Sequence, residues 1–226
     1  MRSLRRAILL LLLASSVLAA YPVAAADRTP VRFPAAVSPR NDIRMDNLVP
    51  VRMRDGVTLY ADVYRPAAEG RYPVIVSITC YSTERFPSAY ATGVYLARRG
   101  YVYVFADVRG RHESEGVWEP FFNEARDGYD TVEWAAKQPW SNGKVAMEGG
   151  SYLGQNQWRT AEAAPPSLVT IFPSLASTSI YHDWMTLNGG WRLSFNFGWG
   201  PVRQESRIMQ NTGPHTLEGT HAIHFD

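Results

Sequence analysis

The residues best suited to chemistry are Gly149, Gly150, Ser151, Tyr152, Leu153 and Gly154, in the run "KVAMEGGSYLGQNQW". A serine that follows a short apolar run and opens a helical pattern sits on a tight strand-to-helix turn. Such a turn pushes the hydroxyl out of a sheet at the carboxyl ends of its strands, and it needs small neighbours, here Gly149 and Gly150. The helix that follows aims its N-terminus at the serine, which favours negative charge developing there. The backbone N–H of Tyr152 then becomes one donor to an oxyanion. The chemistry implied is attack of Ser151 on an acyl carbon. A glycine-rich helix start without chemistry is the alternative reading of the same six residues.

The flanking pattern supplies the frame for such a turn. "VPVRMRDGVTLYADVYRP" holds two alternating runs joined at Asp55-Gly56, a hairpin signal. "YPVIVSIT" (72–79) and "YVYVFAD" (101–107) read as strands buried on both faces. Residues 88–99 read as a helix stopped by Gly100. Residues 123–137 read as a helix with an acidic start and an apolar face at Ala125, Tyr129, Val132 and Ala136. Residues 144–149 form a strand into Ser151, residues 152–164 a helix ended by Pro165-Pro166, and residues 167–174 another apolar strand. Strand and helix alternate, so the fold class is α/β, a mostly parallel sheet with helices on both faces. Residues 177–226, rich in Trp, Gly, Asn and His, read as the start of a helical cap, and residues 27–176 as the domain it covers.

The blocks "RDGVTLYADVYRP", "YPVIVSITCY", "ADVRGRHESEG", "DGYDTVEWAAKQPWSNGKVAMEGGSYLGQNQW" and "PSLASTSIYHDWMTLNGG" occur in that order. Together they resemble the cocaine esterase / Xaa-Pro dipeptidyl-peptidase group of α/β-hydrolases (CocE/NonD, peptidase S15-like), over about residues 48–200. The Gly-Gly-Ser-Tyr-Leu-Gly run is similar to that group's Gly-x-Ser-Tyr-x-Gly elbow and departs from Gly-x-Ser-x-Gly, because Leu153 holds the last position. The resemblance implies an α/β-hydrolase fold, C-terminally incomplete. It implies Ser151 as nucleophile, the Tyr81 hydroxyl and the Tyr152 backbone N–H as oxyanion donors, and no cofactor and no metal. Residues alone read Tyr81 as a core tyrosine capping a strand. Arg109 is expected to support the fold by ion pairing. Glu124, Asp127 and Asp130 are expected to be helix N-terminal charges on a solvated face.

A serine nucleophile needs an imidazole, and the imidazole needs a carboxylate, in the chain order serine, acid, histidine. The acids after Ser151 are Asp183, Glu205, Glu218 and Asp226, and the histidines are His182, His215, His221 and His224. The resemblance places the acid and histidine beyond the cap, so none of these is assignable. The expectation is the N-terminal portion of a longer serine hydrolase, acting on ester or amide bonds, including X-Pro peptide-type bonds. The alternative is a catalytically inactive, secreted binding or scaffold domain. Trp184, Trp191 and Trp199 are candidates for the wall of an acyl or leaving-group pocket, or equally packing residues. His215, Glu218, His221 and His224 could share a helix face and hold a metal, or be polar cap surface.

Residues 1–26 are of another kind. A basic "MRSLRR", the apolar "AILLLLLASSVLA" and small residues at Ala24 and Ala26 make the pattern of a cleaved secretory signal. The alternative is an uncleaved N-terminal anchor. Arg2, Arg5 and Arg6 belong to this segment, and without them the chain is marginally acidic, so charge gives no reason for a nucleic-acid partner. The expected location is periplasmic or extracellular, without stable membrane association after cleavage, and the expected partner is a small-molecule ester, amide or peptide substrate. Cys80 is the single cysteine, so no internal disulfide forms. It reads as a buried thiol.

Overall fold

The computed structural model describes residues 41–81 and 87–199. Residues 1–26 and the cluster His215, Glu218, His221 and His224 lie outside the described residues. β1 (Ile43–Arg52) and β2 (Thr58–Pro66) form the expected antiparallel hairpin, with Arg52 opposite Thr58 and a bulge between Asp46 and Val49. β3 (Tyr72–Thr79) leads to α1 (Pro87–Ala97), β4 (Val102–Asp107), α2 (Glu124–Ala136), β5 (Ser141–Gly150), α3 (Tyr152–Glu162) and β6 (Leu168–Ser174). The sheet order is β1-β2-β4-β3-β5-β6. β4, β3, β5 and β6 run parallel, while β1 and β2 are antiparallel to their neighbours. This is a partial α/β-hydrolase fold: a mostly parallel sheet with helices on its faces. α1 packs on β2 and β4, and α2 and α3 pack on each other and on β5 and β3.

The core follows from the apolar runs. All six residues of β4 are buried, because the strand has a neighbour on each side and helices above and below. Val74, Val76 and Ile78 of β3 and Val145 and Met147 of β5 join them. β6 differs. Among the described residues it is the outer strand of the sheet, and Val169 and Phe172 stay 60% and 74% exposed.

The buried face of α2 is not the expected one. It consists of Glu124, Asp127, Gly128, Thr131, Val132 and Ala135, while Ala125, Tyr129 and Ala136 are only partly covered. Glu124 and Asp127 are therefore interior carboxylates, not solvated ones. Each has a partner that makes burial tolerable, since a buried charge without one is expensive. The Arg109 guanidinium holds Asp127 in a bidentate pair at 2.7 and 2.9 Å and reaches Asp55 at 2.8 Å. Arg109 thus ties the hairpin loop to α2, the support role expected of it. Asp130 pairs with Arg54 of the same loop at 2.7 Å.

After β6 the chain forms a short π-helix (Ile180–Met185), a two-residue hairpin of β7 (Thr186–Leu187) and β8 (Gly190–Trp191), and a helical turn over residues 193–199. The small hairpin lies beside helical segments where the sequence suggests the start of a helical cap. No helix among the described residues is long and apolar enough to cross a membrane.

Candidate active site

Ser151 stands between β5 and α3 with φ 59° and ψ −124°, a left-handed conformation that a residue with a side chain seldom adopts. The surroundings hold it there. Its N–H donates to the Ser174 carbonyl at 2.9 Å, and its own carbonyl accepts from the N–H groups of Gly154 and Gln155, each at 3.0 Å. Glycine is required at two places nearby. Gly149 has φ +136°, and a Cβ there would meet the Leu153 Cβ at 2.6 Å. A Cβ at Gly154 would meet the Ala176 Cβ at 2.6 Å and the Ser174 carbonyl at 2.8 Å. Strain of this kind, stored at one residue and held by its neighbours, is typical of a reactive site.

Buried polar side chains of α3 and β3 finish the scaffold. Gln157, with 0% exposure, donates to the Gly149 carbonyl at 3.0 Å and accepts from the Phe172 N–H at 2.8 Å, so it ties the turn to β6. Ser77 donates to the Glu148 carbonyl at 2.9 Å. Nothing in a sequence pattern singles out Gln157, because a mid-helix glutamine is ordinarily a surface residue.

Tyr81 follows β3, and its hydroxyl lies 3.2 Å from the Ser151 Oγ. Burial raises the phenol above its ordinary value, against hydrogen bonds with Ser151, Trp199 and the Tyr152 backbone that pull it down. Tyr81 therefore stays protonated near neutral pH and keeps an O–H to donate. The Tyr152 backbone amide hydrogen-bonds the Tyr81 hydroxyl, which itself lies against the serine oxygen. The structure thus brings Ser151, Tyr81 and Tyr152 together, the three site residues expected from the sequence.

The Tyr152 side chain points away from this spot into the interior. Its ring stacks on Phe121 at 4.9 Å, and Trp118 and Trp199 pack around it at 5.9 and 6.0 Å. Trp184 and Phe195 extend the aromatic wall. Trp191 does not join it and is 57% exposed. An open cleft of about 360 Å³ is lined by Ser151, Leu175, Ala176, Ser177, Asp183, Trp184, Arg192 and Phe195. Asp183 and Arg192 bring charges into that cleft, a feature the sequence reading did not anticipate. Arg192 donates to the Asp183 carbonyl at 3.1 Å, which fixes the segment's curl.

The described histidines, His112 and His182, are not among the residues lining the cleft. His182 packs edge-on against Tyr181. Cys80 is fully buried, and burial pushes its thiol far above the ordinary value, so it stays a neutral thiol. Among the described residues no group of three His, Cys, Asp or Glu side chains could hold a metal ion.

The sequence profile of the X-Pro dipeptidyl-peptidase (S15 family) matches residues 55–222. The chain belongs to this family. It is 38% identical over 160 residues to the cocaine esterase of Rhodococcus sp. (strain MB1 Bresler), a match that covers 68% of this chain and 28% of that enzyme. Among solved structures, a CocE/NonD family hydrolase from Staphylococcus aureus superposes with a TM-score of 0.66 at 25% identity, over 80% of this chain and 36% of the other. An alpha-amino acid ester hydrolase superposes with a TM-score of 0.54 at 26% identity, over 77% of this chain and 32% of the other. The chain thus spans about 28% of the length of the cocaine esterase it matches.

Proposed function

We propose that the chain carries the nucleophile and the oxyanion hole of an exported serine hydrolase that cleaves ester or amide bonds, including X-Pro peptide-type bonds, through an acyl-enzyme. The observation that carries this reading is the 3.2 Å approach of the Tyr81 hydroxyl to the Ser151 Oγ at a left-handed, strained serine. The Ser151 Oγ attacks the acyl carbon and gives its proton to a base outside the described residues. The carbonyl oxygen becomes an oxyanion, which accepts from the Tyr81 O–H and the Tyr152 N–H. The alcohol or amine leaves with a proton. Water then attacks the acyl-enzyme by the same route and releases the acid. The aromatic wall of Trp184 and Phe195 suits an apolar or aromatic acyl group, and Asp183 in the same cleft suits a substrate that carries an amine. Residues 1–26 would direct the chain to the periplasm or outside the cell.

The second reading is a binding or scaffold domain that keeps the fold without turnover. It is favoured by one observation: neither described histidine lines the Ser151 cleft. One experiment separates the two. The chain is mixed with p-nitrophenyl acetate and its intact mass is followed. The hydrolase reading expects one acetyl group to accumulate on the wild type and none on Ser151→Ala. Folded wild type that never gains an acetyl group would favour the binding domain.

A further inference from the structure

The oxyanion N–H belongs to Tyr152, but what fixes that peptide lies on the far side of the residue. The Tyr152 side chain is fully buried, with 0% exposure. Its hydroxyl accepts from the Trp118 indole N–H at 3.0 Å and donates to the Glu124 Oε1. Trp118 lies in the loop after β4, and Glu124 opens α2. The first residue of α3 is therefore pinned from two other elements.

Glu124 itself lines a small chamber. The chamber is partly open, about 10 Å³ in volume, and Ile78, Trp118, Glu124 and Asn156 are among its lining residues. Glu124 is 6% exposed and Asn156 is 1% exposed. The Asn156 amide donates to the Ile78 carbonyl at 2.8 Å, which turns its Oδ1 away from that bond. The Glu124 Oε2 and the Asn156 Oδ1 are both buried acceptors without a hydrogen-bond donor. Two orphan acceptors on one small chamber call for a hydrogen between them, since a buried acceptor left unpaired loses its solvation without compensation. The chamber is the size of about one water molecule.

We propose that Glu124 is a positioning residue for the oxyanion hole: it clamps the Tyr152 hydroxyl with one oxygen and, carrying a proton on the other, donates to Asn156 directly or through one water. The chain of contacts then runs from Trp118 through Tyr152 and Glu124 to Asn156 and the β3 backbone. It locks the first turn of α3 to α2 and β3 and sets the direction of the Tyr152 N–H. Burial is consistent with this, because it raises the Glu124 carboxyl above its ordinary value. Glutamine is the natural replacement. Its amide N–H supplies the donor that the Asn156 Oδ1 requires, and its carbonyl still accepts from Tyr152.

The inference rests on reading the Tyr152 N–H as an oxyanion donor, so the test has an arm that does not depend on turnover. Amide hydrogen exchange of the full chain is followed by mass spectrometry for the wild type, Glu124→Ala, Glu124→Gln and Tyr152→Phe. The proposal expects Glu124→Ala and Tyr152→Phe to speed exchange over residues 150–156 about tenfold or more while β4 is unchanged, with Glu124→Gln close to wild type. Tyr152→Phe keeps the test open if Glu124→Ala does not fold. Unchanged exchange at the elbow would overturn the proposal. So would equal acceleration of β4, which marks general destabilisation, or a Glu124→Gln variant as loose as Glu124→Ala. In parallel, the rate of fluorophosphonate labelling of Ser151 is expected to fall about 10-fold or more in Glu124→Ala and to be retained in Glu124→Gln. Wild type that never labels would count against the nucleophile reading alone, and the exchange arm would still decide the role of Glu124.

Discussion

On the α3 side of Ser151 the polar groups that brace the oxyanion position are buried or half-buried: half-buried Tyr81, and buried Tyr152, Gln157, Glu124 and Asn156. On the β6 side the serine faces an open cleft, Phe172 and Leu175 are 74% and 90% exposed, and the chain turns into short, partly exposed elements. The difference assigns the two flanks different tasks. An oxyanion hole works only if its donors are already oriented when charge develops, so it needs a rigid interior. A substrate cleft must admit a ligand, and its walls can remain half-open until something fills them.

The largest effect separating the flanks should come from Tyr81→Phe. Removing one oxyanion donor should slow acylation of Ser151 by about 10²–10³ while leaving the unfolding midpoint near that of the wild type. A stopped-flow burst with an activated ester, beside a thermal melt, checks both. A smaller contrast concerns stability. Val104 in β4 is 0% exposed, whereas Val169 in β6 is 60% exposed. Val104→Ala should cost about 2 kcal/mol by denaturant unfolding. Val169→Ala should stay within about 0.5 kcal/mol. Equal costs would mean that β6 is covered in solution and the comparison fails.

The smallest effect is one of pH. The folded protein holds the Glu124 proton more tightly than the unfolded chain does, because burial, with a small push from Asp127, raises the carboxyl above 4.5. Its contribution to stability is therefore full below pH 4.5 and is lost as pH rises through the raised folded value. Tyr152 and Cys80, which face Glu124, remain neutral over that window. Glu124→Gln cannot titrate. Its stability relative to the wild type should be level in acid and should improve as pH rises from 4.5, read from urea midpoints across pH. A difference that is flat with pH would contradict the buried-carboxyl account.

Much of the braced flank was legible beforehand, and the reason is physical. A left-handed serine needs glycines and a following helix, and those leave a mark in "EGGSYLG". Buried parallel strands leave apolar runs, so β3, β4 and β5 could be read directly. The same logic finds β6 as a strand but does not give its burial. Its apolar run looks like that of β4, but burial on both faces depends on neighbours that a run of residues does not specify. It misjudged α2. Periodicity counts apolar residues as interior, whereas this helix buries Glu124 and Asp127 against Tyr152 and Arg109. Those partners are 28 and 18 residues away in sequence, so no local pattern reveals them. Gln157 and Asn156 escaped notice for the same reason.

The central claim is that Ser151 is an activated nucleophile seated in a preformed oxyanion hole. Intact-mass labelling of the chain with a fluorophosphonate tests it most directly, with Ser151→Ala and Tyr81→Phe alongside. The account predicts one adduct on the wild type, none on Ser151→Ala and markedly slowed labelling of Tyr81→Phe. Folded wild type that takes up no label, or label that persists in Ser151→Ala, would contradict it.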